Sequence, residues 1–451
     1  MREKNQIIIF CLLAVSILVG LFYTISCGRA VNTRTTTSSI STTIPGPFDF
    51  VLGTNTYALP SITMPAKGAS ITEPNFHTTI TRFSDKNVDG YSGPGIENEY
   101  AKMDPENSDG TLLVLRGNDG EWYLYNANNF QMIKHLNILS GAQDAEPRWD
   151  PTNPKVFYTP YATELRSYNV DTDVFTAIHD FKNDIPNTEY ITTKTEGDAS
   201  LDRRLWCFII VGASNTDLAV ICYDKLNNII LGRKDAPFIN DINWTGMDMS
   251  GSHCIIGYDS RATQVFSKDF SIVKDLPAGA VGHMDLAQTL DGKDVMVYQN
   301  NDTDYIAMAD LDTGIETPLV KIPFYDTSTG TGNNDIGLHV SGNCSQTPGW
   351  VLISTYGSKD PPSGMNHSWM DNQLFMMELK ANPRIWRIAH THAYTSLDFI
   401  GTKNYFAECF AAINTKGTKI FFGSNWDDTA TPDYSETYQI ILPGNWNNRI
   451  P

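Results

Sequence analysis

The chain has 451 residues, 41% of them hydrophobic and 19% charged, and a mean hydropathy of -0.27. These values describe a globular protein long enough to bury a large core. A formal net charge of -18 argues against a nucleic-acid binder, because a phosphate backbone needs clustered Lys and Arg. Aromatics at 11%, with 33 glycines and 23 prolines, point to an all-β, turn-rich fold.

At the N-terminus, Arg2 and Lys4 precede an apolar run from Ile7 to Ile25 that ends at Ser26-Cys27-Gly28. A basic stretch followed by a hydrophobic one is an export signal, and this run is just long enough to span a bilayer. Thr24-Ile25-Ser26-Cys27 resembles a bacterial lipoprotein box, whose cysteine is lipidated. Residues 1–27 are therefore expected to be a lipoprotein signal, an uncleaved membrane anchor or a secretory signal. Each places the remainder at the cell surface, in the periplasm or outside the cell. Residues 28–48, with "NTRTTTSSISTTIPGP" at 32–47, cannot form a core and are expected to be a flexible tether. Residues 49–451 then form one domain, expected to be monomeric.

Five cysteines lie in that domain, with no CxxC pair and no disulfide framework. Cys207 and Cys222 sit symmetrically about the turn at Ser214-Asn215-Thr216. They are expected to face each other across a hairpin as buried small residues rather than as a disulfide.

From residue 110 onward one unit recurs: a short segment, a turn, then two or three β-rich runs. Copies begin near residues 110, 145, 196, 243, 282, 337 and 404, and the sixth carries an insertion at 357–373. No long amphipathic helix pattern follows residue 30. Seven copies of three or four short strands predict an all-β, seven-bladed β-propeller of four-stranded antiparallel blades, because each blade buries its faces only against its neighbours. An early strand at 49–58 is expected to complete the last blade. The turns "PTNP", "LDGK" and "TKGT" resemble the PD40, or TolB-like, propeller repeat.

Aligned by their turns, the copies place Glu146, Glu196, Asn243, His283, His339 and Glu408 at the start of the innermost strand. Those positions should ring one opening of the axis. Two readings stand at this point: a solvated channel lined by satisfied polar groups, or a site. Two histidines sharing one register position, Asp285 two residues after His283, and "HTHAYT" at 390–395 favour a site. His283, His339, His392 and Glu408 are candidate ligands for a divalent cation such as Mn, Ca or Zn. The same surroundings suit proton transfer, with His283 or His339 as base and Tyr394 or Arg148 to donate a proton or neutralise charge.

Extracellular seven-bladed propellers with histidines around a funnel resemble the oligogalacturonate lyase and ulvan lyase families, which cleave uronic-acid polysaccharides by β-elimination. "GSNWDD" at 423–428 is similar to a last-blade motif of exported propellers of this kind. The first of these families binds a divalent metal partly through a "QxxHxH" cluster. Here the corresponding stretch reads Glu408-Cys-Phe-Ala, and the H-x-H is His390-Thr-His392. The resemblance implies a polysaccharide lyase. The overall acidity then requires a cation, or Arg148 with Arg203 and Arg204, to receive a polyanion. The alternative is a non-catalytic surface propeller that binds glycan, peptide or protein. Trp350, Trp369, Trp386 and Trp426 are expected to fill blade interfaces rather than stack on sugars. "NDTDYIAMADLDTG" reads as a hairpin, not a calcium loop. The insertion at 357–373 is expected to lie over the funnel as a lid.

Overall fold

The computed structural model describes residues 48–140, 145–235, 241–277, 279, 282–324, 336–357, 367–395, 404–428, 431 and 433–451. The expected export signal, most of the expected tether, and residues 358–366 of the expected lid lie outside them.

Seven blades follow one another along the described chain. Their inner strands are Ile96–Glu97, Arg148–Trp149, Tyr190–Thr192, Ile242–Met247, Gly282–Gln288, Gly337–Ser341 and Ala412–Ile413. Blades two to six are separate four-stranded sheets. The first and seventh share a nine-stranded sheet, joined by a single parallel pairing of Glu436 with Ile96. Within each blade the pairing is antiparallel, and hairpin turns explain why adjacent strands pair in sequence order.

Burial on both sheet faces explains the near-continuous apolar runs of the middle strands. Leu205–Gly212 is buried throughout, as is Trp350–Tyr356. The core is correspondingly divided into interblade layers. One joins Ile209 and Val220 of the third blade to Ile256 and Phe266 of the fourth. Another joins Val297 of the fifth to Ile353 and Phe375 of the sixth. Trp350, Trp369, Trp386 and Trp426 are all buried in such layers. The acidic stretch at 301–314 is a hairpin linking Asp294–Asn300 through Tyr305–Asp310 to Glu316–Lys321.

Two expectations are corrected here. Residues 49–58 form no strand: a lone antiparallel bridge, Leu52 to Trp386, sets them against the sixth blade, with Phe50 packed 5.0 Å from the Trp386 ring. The ring is closed by Thr79–Arg82 instead, which pairs with Glu436–Ile441 through Ile80–Ile440 and Arg82–Tyr438. Ile80 and Arg82 alternate into the protein while Thr79 and Thr81 are half-buried, as a four-residue closing strand requires. Second, Cys207 and Cys222 do stand opposite each other in register, but Cys207 is disulfide-bonded to Cys254 of the fourth blade. Cys222 is left as a buried thiol. The side chain of Cys207 points across the interblade layer rather than along its own sheet.

Because Ile80 is fully buried in the layer that also holds Ile440 and Tyr438, Ile80→Ala should destabilise the folded chain by about 2–4 kcal/mol. Urea unfolding of the variant against the parent chain measures this.

Candidate active site

The first blade supplies the floor of the site. Its inner strand pairs only over Ile96–Glu97, against Gly117 and Arg116, and returns at Glu106, bridged to Leu113. Between these points residues 98–104 run across the propeller axis. Asn98 Nδ2 donates to the Phe410 carbonyl of the seventh blade at 2.5 Å. The Ala101 carbonyl accepts from Asn343 after the sixth blade's inner strand. Lys102 Nζ lies 2.6 Å from Glu196 after the third inner strand and 3.3 Å from the Met284 sulfur of the fifth blade. Asp104 accepts from the backbone and hydroxyl of Thr415, at 2.7 and 2.8 Å. The axis is therefore occupied by chain, and one end of it becomes a closed-bottomed depression rather than an open channel.

Three of the register-aligned residues meet at that end. The His283 and His339 rings are 5.0 Å apart, centroid to centroid, and His339 Nε2 lies 3.3 Å from Glu408. Tyr356, last in the sixth blade's second strand, stacks on His339 at 5.0 Å, with His283 6.2 Å away. Tyr100 from the axial crossing and Phe410 close the opposite side of His339, at 5.2 and 4.8 Å. His283 is presented by a β-bulge: the ladder skips it between Gly282 and Met284, and its φ is 47°. Such a bulge re-aims a side chain at the end of a strand. Glu408 follows a short 3-10 turn, Tyr405–Ala407, and precedes the inner strand rather than opening it. Tyr405 is 50% exposed at this end.

The other expected residues go elsewhere. Glu146 is buried and accepts from the backbone of Thr193 and Thr195 and the hydroxyls of Thr192 and Thr193, so it holds the loop after the third inner strand. Asn243 donates to Asp259. Arg148 is buried between Glu99 at 2.9 Å and the Gly197 carbonyl at 3.0 Å, where it ties three blades together. Arg203 and Arg204 are taken by Asp198 and Asp224. His392 stacks on Trp426 at 4.5 Å, and Tyr394 exchanges two hydrogen bonds with Asn425, both in the link between the sixth and seventh blades.

Sequence reasoning missed Tyr100, Lys102, Arg116, Tyr356 and Tyr405, because none occupies the aligned register position. The signal available was "ENEYAKMDPE" at 97–106, a polar run where an inner strand belongs. Arg116 is half-buried, and among the described residues no ion pair holds it. Its charge is felt at Glu97, Glu99 and Tyr405.

Burial sets the protonation of this region. The His339 imidazole is held below its ordinary value by burial, against the opposing pull of Glu408. Tyr356 is pushed well up by burial and by the Glu408 carboxylate, and Tyr405 up to about 12 by burial and the same carboxylate. Burial also raises Glu97 to about 8 and Glu99 to about 7. At neutral pH the site thus presents a neutral imidazole, protonated phenols and carboxyls that are partly neutral.

No protein-family model matches the chain, and no curated protein matches it. Among solved structures, an oligogalacturonate lyase in complex with manganese superposes with a TM-score of 0.55 at 14% identity, covering 84% of this chain and 99% of its own. An oligogalacturonate lyase from Vibrio parahaemolyticus does so with a TM-score of 0.55 at 13% identity, again over 84% and 99%. At this identity the likeness shows the propeller fold alone. Among the described residues no three His, Cys, Asp or Glu side chains are grouped to hold a metal ion. His283, His339 and Glu408 share the depression, but Glu408 is engaged by His339, and the contacts of His392 run to Trp426 and Asp427.

Five buried carboxyls, Glu97, Glu99, Asp104, Asp285 and Glu436, are raised by burial to about 7 or 8. In the unfolded chain they titrate near their ordinary values, so between those values and about 8 the folded state holds more protons. Their contribution to stability is complete below the unfolded values and is lost as pH rises through the folded ones. His339 acts in the opposite sense, losing stability as pH falls below its ordinary value, but it is one group against five. The thermal midpoint should therefore be higher near pH 5 than near pH 8, which calorimetry across roughly that window checks.

Proposed function

We propose that the chain is an exported, surface-tethered lyase that cleaves uronic-acid glycans by β-elimination in the depression at the end of the axis. The observation that carries this reading is the grouping of His283, His339, Glu408 and Tyr356, drawn from three blades and held against a floor that closes the axis. Elimination needs a group to neutralise the substrate carboxylate, a base at C5 and an acid for the departing oxygen.

Each part has a candidate on this chain. Arg116, which no described residue holds in an ion pair, takes the uronate carboxylate in a bidentate contact. His283, half-buried and set out by its bulge, accepts the C5 proton, with His339 and Glu408 packed behind it. The C5–H electron pair becomes the C4–C5 double bond as the C4–O bond breaks. Tyr405, exposed and protonated at neutral pH, gives its proton to the departing oxygen. Proton exchange with water then restores His283 and Tyr405. The raised carboxyls of Glu97 and Glu99 lessen the negative charge that a polyanion meets.

The acidic lining supports one other reading. Glu196 and Glu408 beside the aromatic rings of Tyr100, Tyr356 and Phe410 suit a neutral or cationic ligand, which a non-catalytic surface propeller would bind. Ultraviolet detection of unsaturated products from polygalacturonate, alginate, ulvan and glycosaminoglycans separates the two. The lyase reading expects turnover of at least one polymer, with EDTA leaving it intact. His283→Ala and Tyr405→Phe should each lower kcat about 10²–10⁴-fold, while Arg116→Ala raises KM more than Arg116→Lys does. Absence of turnover on every polymer, with a neutral glycan or an amine bound at the depression, supports the binder.

A further inference from the structure

Antiparallel neighbours put the turns after the first and third strands of a blade at one end, opposite the inner-strand starts that form the depression. At that far end stand Leu226 and Ile229 of the third blade, Ile272 and Val273 of the fourth, and Leu290 and Ile315 of the fifth. Leu226, Ile272, Leu290 and Ile315 are between 66% and 79% exposed. These turns touch one another. A Cβ added to Gly232, on the third blade's outer strand Ile229–Asp235, would lie 2.5 Å from the Lys268 carbonyl oxygen, so the fourth blade's turn rests on the third blade. Lys274 of the fourth blade donates to the Leu311 carbonyl in the fifth blade's turn at 3.1 Å. The exposed side chains thus form one arc across three blades. Single exposed hydrophobics are ordinary, whereas a contiguous set marks surface that meets something.

Where the chain enters the domain points to the occupant. Phe50 packs against Trp386, and the Arg449 guanidinium lies 5.8 Å from its ring. Trp386 in turn packs 5.2 Å from Trp446, whose Nε1 donates at 2.7 Å to the Gly417 carbonyl in the first turn of the seventh blade. Phe50 therefore sits at the end of the molecule that carries the arc. Before it in the sequence come residues 28–47 and the apolar run Ile7–Ile25, which is long enough to span a bilayer. A Ser/Thr-rich chain as long as 28–47 has an r.m.s. span of only about 25 Å.

We propose that the arc is a membrane-docking face: Leu226, Ile272, Leu290 and Ile315 enter the boundary between headgroups and acyl chains of the bilayer to which the N-terminal apolar run holds the domain. A bilayer receives separate turn tips without a complementary shape, which a second copy of the chain would have to supply. Attachment so close by raises the local concentration, so a few inserted side chains suffice. Lys225, Lys268 and Lys293 stand in these turns together with Asp224, Asp269 and Asp291. Headgroup charge then adds no net attraction, and apolar insertion carries the docking. Docked in this way, the domain turns its depression away from the bilayer, towards polymers in the medium. The orientation holds whether the depression cleaves its ligand or only binds it.

The test reconstitutes the full chain in phosphatidylcholine vesicles that contain a phosphatidylcholine with a photoactivatable diazirine in its acyl chain, and maps the lipid adducts by mass spectrometry. The proposal expects adducts on the peptides holding Leu226, Ile272 and Leu290 as well as on the apolar run, and unchanged in high salt. Asn301, Asp302 and Thr303, exposed in a turn of the fifth blade at the depression end, should carry none. Combining Leu226→Asp, Ile272→Asp and Leu290→Asp should abolish the adducts at the arc and keep those on the apolar run, with the thermal midpoint unchanged because all three side chains are exposed. Should that variant fail to fold, the parent chain's contrast between the arc and residues 301–303 decides. Adducts confined to the apolar run, equal labelling of both ends, or adducts lost in high salt would overturn the proposal. So would a dimer of the parent chain in detergent, seen by sedimentation, that the triple variant dissolves.

Discussion

Inner strands arranged in a ring leave a hole, and the hole must be filled either by water or by chain. Here the first blade fills it by abandoning its own ladder for seven residues. The most demanding part of that solution is a lysine. Lys102 is carried almost completely out of solvent and meets one carboxylate, Glu196, with the Tyr100 and Trp244 rings 5.4 and 5.6 Å from its ammonium. A cation so placed is tolerable only where every neighbour compensates for lost hydration. The crossing therefore fixes the relative positions of the third, fourth and fifth blades around the axis. Tyr100, two residues earlier, does the same for the sixth and seventh through His339 and Phe410.

That constraint creates the depression and decides its character. With the axis closed from below, imidazole, phenol and carboxyl groups at the inner-strand starts are held in low-dielectric surroundings, where small changes of charge have large effects. The same packing keeps His339 neutral and Tyr356 protonated beside a carboxylate. Glu97, Glu99, Asp104 and Asp285, on the crossing or facing it, are all raised by burial, as a layer poorly solvated along its length requires. Groups whose proton affinities are pulled in opposite directions within one cleft are a common mark of functional chemistry.

Much of this architecture was legible in the residues. Turn chemistry such as Leu290-Asp291-Gly292-Lys293 and the alternation in Asp294–Asn300 marked each hairpin, so the blades from the second onward are found where the repeats place them. Register alignment also brought His283, His339 and Glu408 together correctly. It failed for Glu146 and Asn243, because position along a strand does not say where a side chain turns, and Thr192, Thr193 and Asp259 supplied nearer partners. It could not find Tyr356, which belongs to a second strand, nor Tyr100 and Lys102, which lie in a departure from the repeat. Closure was misplaced for a related reason. "FDFVLGTNTY" is richer in aromatics than "TITR", but its Phe48 and Phe50 are spent on covering Trp386 rather than on pairing.

The clasp at Thr79–Arg82 has a consequence for how such a molecule is made. Its partner, Glu436–Ile441, is synthesised only after the blades between them, so the earlier strand waits through all of that stretch before finding its place. Contacts of such long sequence separation form late and slowly. A nascent chain in which Glu436–Ile441 has not yet been made is thus an open arc with two unsatisfied edges, vulnerable to association with other arcs. Quality control of this fold is in effect an inspection of its clasp.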